Sequence, residues 1–412
     1  MNIVMVLGAL FVVLAVATAY LPIKNDKVGP QSFTIGWLTS ELAAQFAVVF
    51  GVVSFCLATS SVATGWAKVV ATSLLVVGVI GLIGLHLSAK RSIAVVRSGL
   101  ASAKPTPVLF TSEHATPRYG HLLQRILAIP VGRRSVEVVK NIAYLSDGLR
   151  AHRLDVYRSK EESTSLKPVL LYIHGGAWVI GDKREQARPM LYELSQRGWL
   201  CLSINYGLSP KATWPQHVID CKAAIAWAKR EVAAFGGDPD FIVLAGGSAG
   251  GHLASLCALT PNDPMFQPGF EEADTTVDGC ISFYGVLEMT GDQQSSGIHG
   301  RSMVKMLEKT VMKKSQRENP EVFVAASPLH RITPSAPPFL VFQGRNDTLV
   351  PVEVARQFVD RFRAVTQSQL AYIELPLAQH AFDIFSSPRC TATTAGAIAF
   401  LEHLQSQRSS AN

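Results

Sequence analysis

Charged side chains are scarce in this sequence of 412 residues, because Asp, Glu, Lys and Arg together make up only 17% of it. So low a charge content, beside 48% hydrophobic residues, excludes a chain that is disordered throughout. The net charge is +7, but no dense run of Lys and Arg is present. We therefore expect no nucleic-acid partner, and an acidic membrane surface is the simpler explanation of the charge.

Closely spaced cysteine pairs are also lacking. The six cysteines include no Cys-x-x-Cys, and Cys56 lies inside an apolar run, which leaves an odd five elsewhere. A disulfide framework and a zinc site are therefore not expected, and buried free thiols are predicted instead. Nothing else in the sequence implies a metal or an organic cofactor.

Three apolar runs open the chain, at residues 3–21, 42–58 and 69–87, and none contains Asp, Glu, Lys or Arg. A helix of such a length, about 28 Å, crosses the hydrocarbon core of a bilayer. We predict a membrane region over residues 1–98 with three candidate transmembrane helices. The alternative for the first run is a cleaved signal peptide, although no basic residue precedes the run.

The flank that follows the third run predicts the orientation. Lys90, Arg91, Arg97 and Lys104 come before any acidic residue, the first being Glu113. The positive-inside rule places this flank in the cytoplasm. We therefore predict a multi-pass protein of the cell membrane whose remaining chain is cytoplasmic; with only two spans the assignment could reverse.

Beyond the membrane region, short apolar segments alternate with segments of helical periodicity. Residues 99–135 are predicted to be a linker, since Ser, Thr, Pro and Gly are frequent in their first part. Strands are then predicted at residues 136–139, 154–157, 169–173, 200–205, 241–245, 279–283, 339–342 and 371–375. Apolar strands that alternate with helices predict an α/β fold over residues 136–408, with a mostly parallel sheet covered on both faces.

One insertion, residues 287–335, interrupts the alternation without a predicted strand. Met303, Met306, Leu307 and Val311 recur in it at helical spacing. The pattern fits a lid over a site and equally an ordinary surface helix.

A glycine-rich turn follows the predicted strand at 241–245. Gly246-Gly247-Ser248-Ala249-Gly250 fits the pattern G-x-S-x-G, and a helical segment comes after it. In this strand–turn–helix context the serine is a candidate nucleophile. The N–H group of Ala249, at the start of the helix, is a candidate donor to an oxyanion.

A second turn with adjacent glycines, His174-Gly175-Gly176-Ala177-Trp178, ends the predicted strand at 169–173. We expect the N–H groups of Gly176 and Ala177 to complete an oxyanion hole, and Gly175 to allow the bend. His174 is expected to brace the loop rather than to act as a base.

A general base and its acid are expected later in the chain, in the order Ser, Asp, His. Asp347 and His380 each follow a predicted strand, so both should lie at the sheet edge that carries Ser248. His380 is the predicted base and Asp347 the residue that orients it. Asp383 is the rival acid, interpreted as a local cap, and His252 is expected to face the interior.

Taken together, these motifs resemble the α/β-hydrolase superfamily, and within it the hormone-sensitive-lipase-like esterases, over residues 136–404. The resemblance implies a triad of Ser248, Asp347 and His380. Ala177 and Gly247 depart from the usual glycine and aspartate of this branch, and both departures also occur in formamidase-like and feruloyl-esterase-like relatives. The N-terminal region is similar to that of membrane-associated actinobacterial esterases. The residues that carry the resemblance are those at 174–178, 205–206, 209–210, 220, 227, 246–251, 346–347 and 379–380.

The expected function is that of a membrane-anchored carboxylic ester hydrolase that forms an acyl-enzyme on hydrophobic, lipid-like esters. Amide or formamide hydrolysis and acyl transfer use the same acyl-enzyme and remain alternatives. A non-catalytic membrane scaffold on a hydrolase fold is the alternative outside enzymes.

Overall fold

An eight-stranded sheet forms the centre of the chain beyond residue 135. The structure is a computed structural model and describes residues 2–25, 28–60, 65–117, 128, 132, 134–161, 163–291 and 299–411. The strand order is β1-β2-β4-β3-β5-β6-β7-β8; β2 is antiparallel to β1 and β4, and the other neighbours are parallel. The strands are β1 (Val136–Ala143), β2 (Arg153–Ser159), β3 (Lys167–Ile173), β4 (Leu200–Ile204), β5 (Gly237–Gly247), β6 (Gly279–Phe283), β7 (Phe339–Gly344) and β8 (Leu370–Leu375).

Both faces of this sheet are buried, as the apolar strands predict. In β3, Val169, Leu171 and Ile173 belong to one hydrophobic core, whereas Leu170 and Tyr172 belong to a second core on the other face. The alternation follows from the two-residue period of a strand. The predicted α/β fold with a mostly parallel sheet is confirmed.

Helices connect the strands and cover the sheet. The described helices in this part of the chain are α5 (Ser112–Ala115), α6 (Arg188–Gln196), α7 (Gln216–Glu231), α8 (Ala249–Leu259), α9 (His299–Met306), α10 (Pro320–Ala326), α11 (Val352–Val365) and α12 (Pro388–Ala411), with a π-helical segment at Leu307–Met312. Short 3-10 turns occur at Arg150–His152, Val232–Phe235, Pro264–Phe266 and Pro328–Arg331. The described part of the insertion at 287–335 is helical and contains no strand.

The described residues of the N-terminal region form four helices: α1 (Asn2–Tyr20), α2 (Gly29–Glu41), α3 (Ala43–Thr59) and α4 (Gly65–Ala101). Helices α1 and α4 are long and apolar enough to cross a membrane, and α2 with α3 forms a pair bent by 81° that counts as a third span only if taken together. Helices α1 and α4 pack closely at Gly78 and Gly81, where an added Cβ would lie 2.9 and 2.5 Å from Val12 and Val16. Small residues allow apolar helices to approach in this way.

Helix α4 joins the two parts of the molecule without a break. It crosses the predicted boundary at residue 98, and its residues Val96 and Leu100 are buried in the second core of the sheet. The predicted linker at 99–135 therefore begins inside a helix, and its segments 118–127, 129–131 and 133 lie outside the described residues.

Candidate active site

Ser248 occupies a sharp turn between β5 and α8. Its φ of 57° lies in the left-handed region, which is uncommon for a residue other than glycine and marks a strained backbone. The chain at this turn runs close to β3, since a Cβ on Gly250 would lie 2.0 Å from the carbonyl oxygen of Ile173. Gly250 is thus required by its close contact with the neighbouring strand. Ser248 comes immediately before the first residue of α8.

Asp347 and His380 meet at the same edge of the sheet, beyond the ends of β7 and β8. Nδ1 of His380 lies 2.7 Å from Oδ2 of Asp347. The carboxylate also accepts hydrogen bonds from Nε2 of Gln343 at 3.0 Å and from the N–H groups of Leu349 and Val350 at 2.8 Å. A carboxylate held in this way keeps the imidazole proton on Nδ1, so Nε2 is left as the acceptor that a general base needs.

Asp383, the rival acid, has a different partner. Its carboxylate accepts a short hydrogen bond from the hydroxyl of Tyr284, a contact across 99 residues, and the interpretation of Asp383 as a local cap was wrong. The side chain is buried, and burial raises the pKa of Asp383 to about 6. The Tyr284 ring in turn contacts the His380 ring, with 4.4 Å between centroids. Tyr284 thus contacts both Asp383 and His380.

The oxyanion loop lies against the serine turn. The N–H of Gly175 donates to Oε1 of Gln186 at 2.7 Å, so Gly175 supplies the bend and not a donor. Gly176 has a φ of 119°, a conformation that favours glycine. Among the described residues, no acceptor is found for the N–H groups of Gly176, Ala177 and Ala249. These three groups are therefore candidate donors to a developing negative charge.

Two histidines near the site have structural partners. Nδ1 of His174 lies 2.8 Å from the carbonyl oxygen of Gly175, and the His174 ring stacks on Tyr206. His252 accepts a hydrogen bond from Nε1 of Trp178, at 3.2 Å, and burial lowers the pKa of His252 to about 4. Both side chains brace the oxyanion loop and face the interior, as the sequence suggests.

A cavity of about 400 Å³ joins these groups. Ser248, His380 and Ala177 all line it. Most of the remaining wall is apolar, and it includes Met303 and Met306 of the insertion, so α9 covers the site. The other lining residues are Asn25, Gly29, Pro30, Trp178, Val286, Ser302, Thr348, Leu349 and Val350. Such a cavity has the size and polarity of a small-molecule site with one reactive end.

Contacts from helix α2 to the base were not predicted from the sequence. The Phe33 ring faces the His380 ring edge-on, with 6.1 Å between centroids, and Nε1 of Trp37 donates to the carbonyl oxygen of Ala381 at 2.9 Å. Glu41 and Arg389 form a fully buried ion pair of 2.7 Å. Residues 29–41 are not part of a predicted apolar run, and none of them carries a catalytic signature, so only the tertiary structure shows the contacts of this helix.

The order of the strands, with turns from β3, β5, β7 and β8 converging at one edge, defines an α/β-hydrolase. The sequence pattern of the BD-FAE family matches residues 154–362. The chain is 37% identical to esterase LipQ of Mycobacterium tuberculosis, over 86% of this chain and 81% of that protein. It therefore belongs to the α/β-hydrolase esterases, which confirms the resemblance.

Two further comparisons agree with this family. The probable carboxylic ester hydrolase LipM of Mycobacterium tuberculosis is 50% identical over 61% of this chain, and the match spans only 58% of LipM. A solved structure of the esterase Est2 of Thermogutta terrifontis covers 66% of this chain and 95% of its own, at 24% identity and a TM-score of 0.54. That likeness supports the fold.

Proposed function

We propose that this protein is a membrane-anchored serine carboxylic ester hydrolase that acts on hydrophobic acyl esters. The observation that carries the proposal is that one largely apolar cavity is lined by Ser248, by His380 with Asp347 at 2.7 Å behind it, and by the oxyanion loop. The proposal also rests on membership of an esterase family.

The proposed chemistry runs through an acyl-enzyme. Oγ of Ser248 attacks the ester carbonyl while Nε2 of His380 takes the hydroxyl proton. The N–H groups of Gly176, Ala177 and Ala249 hold the negative oxygen, and the imidazolium gives its proton to the departing alcohol. A water molecule, deprotonated by His380, then attacks the acyl group and releases the acid and Ser248.

The membrane anchor is supported by the surfaces of the N-terminal helices. Large apolar side chains of α1, α3 and α4 are exposed in the isolated chain, among them Leu7, Phe11, Val52, Phe55, Val77 and Ile80. Exposed apolar surface on helices of this length fits lipid contact. Helix α3 packs against α4 and leads away from the hydrolase part, which favours three crossings with the hydrolase part on the basic, cytoplasmic side.

Substitution of the serine tests the proposal. Ser248→Ala should abolish turnover of p-nitrophenyl esters while the unfolding temperature stays unchanged, because the hydroxyl is the nucleophile. Ser163→Ala is the matched control, since Ser163 precedes β3 and so lies at the opposite edge of the sheet. Full activity of the Ser248→Ala variant would refute a serine mechanism.

A further inference from the structure

The cavity at Ser248 has walls from both parts of the molecule. Asn25, Gly29 and Pro30, which we call the N-terminal wall, come from the start of α2 and the segment before it. The other walls belong to the hydrolase part. The N-terminal helices therefore complete the cavity rather than stand apart from it.

The N-terminal wall is fixed to the loop that carries Asp347. Nδ2 of Asn346 donates to the carbonyl oxygens of Ala19 and Tyr20, at 3.0 and 3.1 Å, where α1 ends. Oγ1 of Thr348 donates to the carbonyl oxygen of Gly29 at 3.3 Å. Asn346 and Thr348, the two neighbours of Asp347, thus hold the N-terminal wall in a fixed position beside the site.

Helix α2 is fixed just as firmly beside the loop of His380. The Trp37 indole donates to Ala381, and Arg389, paired with Glu41, also donates to the carbonyl oxygen of Leu377 at 3.2 Å. Leu377 and Ala381 lie on either side of His380, and Arg389 lies on α12, the helix that follows His380. A wall held at both ends cannot give way to a longer substrate without breaking these contacts.

The wall lies where α1 ends, next to exposed apolar side chains. Leu21 and Ile23 are 81% and 53% exposed, and they lie four and two positions before Asn25 in the chain. If α1 spans the bilayer, this end of the cavity is at the lipid surface, where the apolar chain of a membrane-resident ester is available.

We infer that the N-terminal wall limits the length of the apolar ester chain that reaches Ser248, so that the membrane region sets the substrate specificity of the hydrolase part. The substrate class is an ester of limited apolar chain length that is available at the bilayer surface. This inference rests on the proposed esterase function.

Filling the cavity from the N-terminal side tests the inference in the full-length protein. In Gly29→Phe a ring extends from the wall, and in Gly29→Ala one methyl group is added, whose nearest neighbour is the carbonyl oxygen of Thr348 at an ordinary 3.7 Å. Gly51→Phe is the matched control, because an added Cβ at Gly51 meets nothing within 4 Å. Two series of esters are compared, one with acyl chains from acetate to decanoate and one of acetates with lengthening alcohols.

We expect the loss of kcat/KM in Gly29→Phe to be about 10- to 100-fold greater for long chains than for the shortest ester in at least one series. Gly29→Ala should shift the profile in the same direction by less, and Gly51→Phe should not shift it. Unchanged profiles for both Gly29 variants, or an equal loss on all chain lengths, would overturn the inference while the proposed function stands. A wild-type protein that hydrolyses no ester would overturn both.

Discussion

The residue that organises the candidate site is Asp347. Four hydrogen bonds converge on its carboxylate, one of them from His380. Asp383 instead accepts a hydrogen bond from the Tyr284 hydroxyl, and the Tyr284 ring contacts the ring of the base. The two carboxylates, both near the base, should therefore differ sharply in their effect on catalysis.

Replacing each carboxylate by its amide distinguishes the catalytic roles of Asp347 and Asp383. Asp347→Asn should lower kcat by about 10⁴-fold, because an amide no longer fixes the proton on Nδ1 of His380. Asp383→Asn should retain most of the activity, since its amide oxygen can still accept the Tyr284 hydroxyl. Steady-state kinetics of both variants check this, and a larger loss in Asp383→Asn would reverse the assignment of the acid.

Asp383 should instead be visible in the pH dependence of stability. Its pKa is raised from 3.8 to about 6, so between these values the folded protein binds more protons than the unfolded chain. The contribution of this group to stability is therefore complete below pH 4 and is lost as the pH rises through 6. The free energy of unfolding should fall between pH 4 and pH 7 by on the order of 2 kcal/mol more in wild type than in Asp383→Asn.

Parallel denaturation curves of the two proteins at several pH values provide the measurement. If the free energy of unfolding of wild type fell no more than that of Asp383→Asn between pH 4 and pH 7, Asp383 would not be a buried acid of raised pKa.

The sequence predicts the triad candidates because each of them lies within a few residues of the end of an apolar strand, and parallel strands bring their ends to one edge. The same local signals do not identify Tyr284 or Gln343, which also end strands but carry side chains with many possible roles. The wrong interpretation of Asp383 has the same origin, since its partner Tyr284 is distant in the chain and a local cap was the nearest explanation.

Among the elements, α2 differs most from what the sequence predicts. The strands were recognisable because runs such as 169–173 are apolar throughout, whereas α2 is of mixed polarity and gives no clear period. Its position depends on the fully buried pair of Glu41 with Arg389, residues that are 348 positions apart. Long-range pairing of this kind has no signature in a single sequence.

Breaking the Glu41–Arg389 pair should therefore lower the free energy of unfolding strongly. Glu41→Gln leaves a buried guanidinium without its countercharge, and we expect a loss of about 3 to 5 kcal/mol in the free energy of unfolding. Glu231→Gln is the matched control, because its pair with Arg230 is exposed and worth less than about 1 kcal/mol. The stabilities of the two variants are compared by thermal and denaturant unfolding. A similar loss in both would contradict the role given to α2.

For the whole molecule, helix α4 determines how the hydrolase part is attached. It is a single helix of 37 residues, which corresponds to about 55 Å, and it begins among the apolar helices and ends in the core of the sheet. The sequence predicts its apolar half and its basic flank but not its continuation, because residues 88–101 have the mixed composition of an ordinary surface helix.

The proposed orientation can be measured with single cysteines in a protein whose native Cys56 is replaced by serine. Thr59 ends α3 on the side away from the hydrolase part, and Lys160 is exposed near the end of β2. A membrane-impermeant maleimide should label Thr59→Cys in intact cells and Lys160→Cys only after permeabilisation. The reverse pattern would place the hydrolase part outside.

The most direct test of the central claim, that Ser248 is an activated nucleophile in this fold, is covalent labelling of the full-length protein with a fluorophosphonate, followed by mass spectrometry of its peptides. The structure predicts one adduct, on the peptide that contains Ser248, and no adduct in Ser248→Ala. Failure of the wild-type protein to react, or an adduct at another serine that survives in Ser248→Ala, would contradict the account.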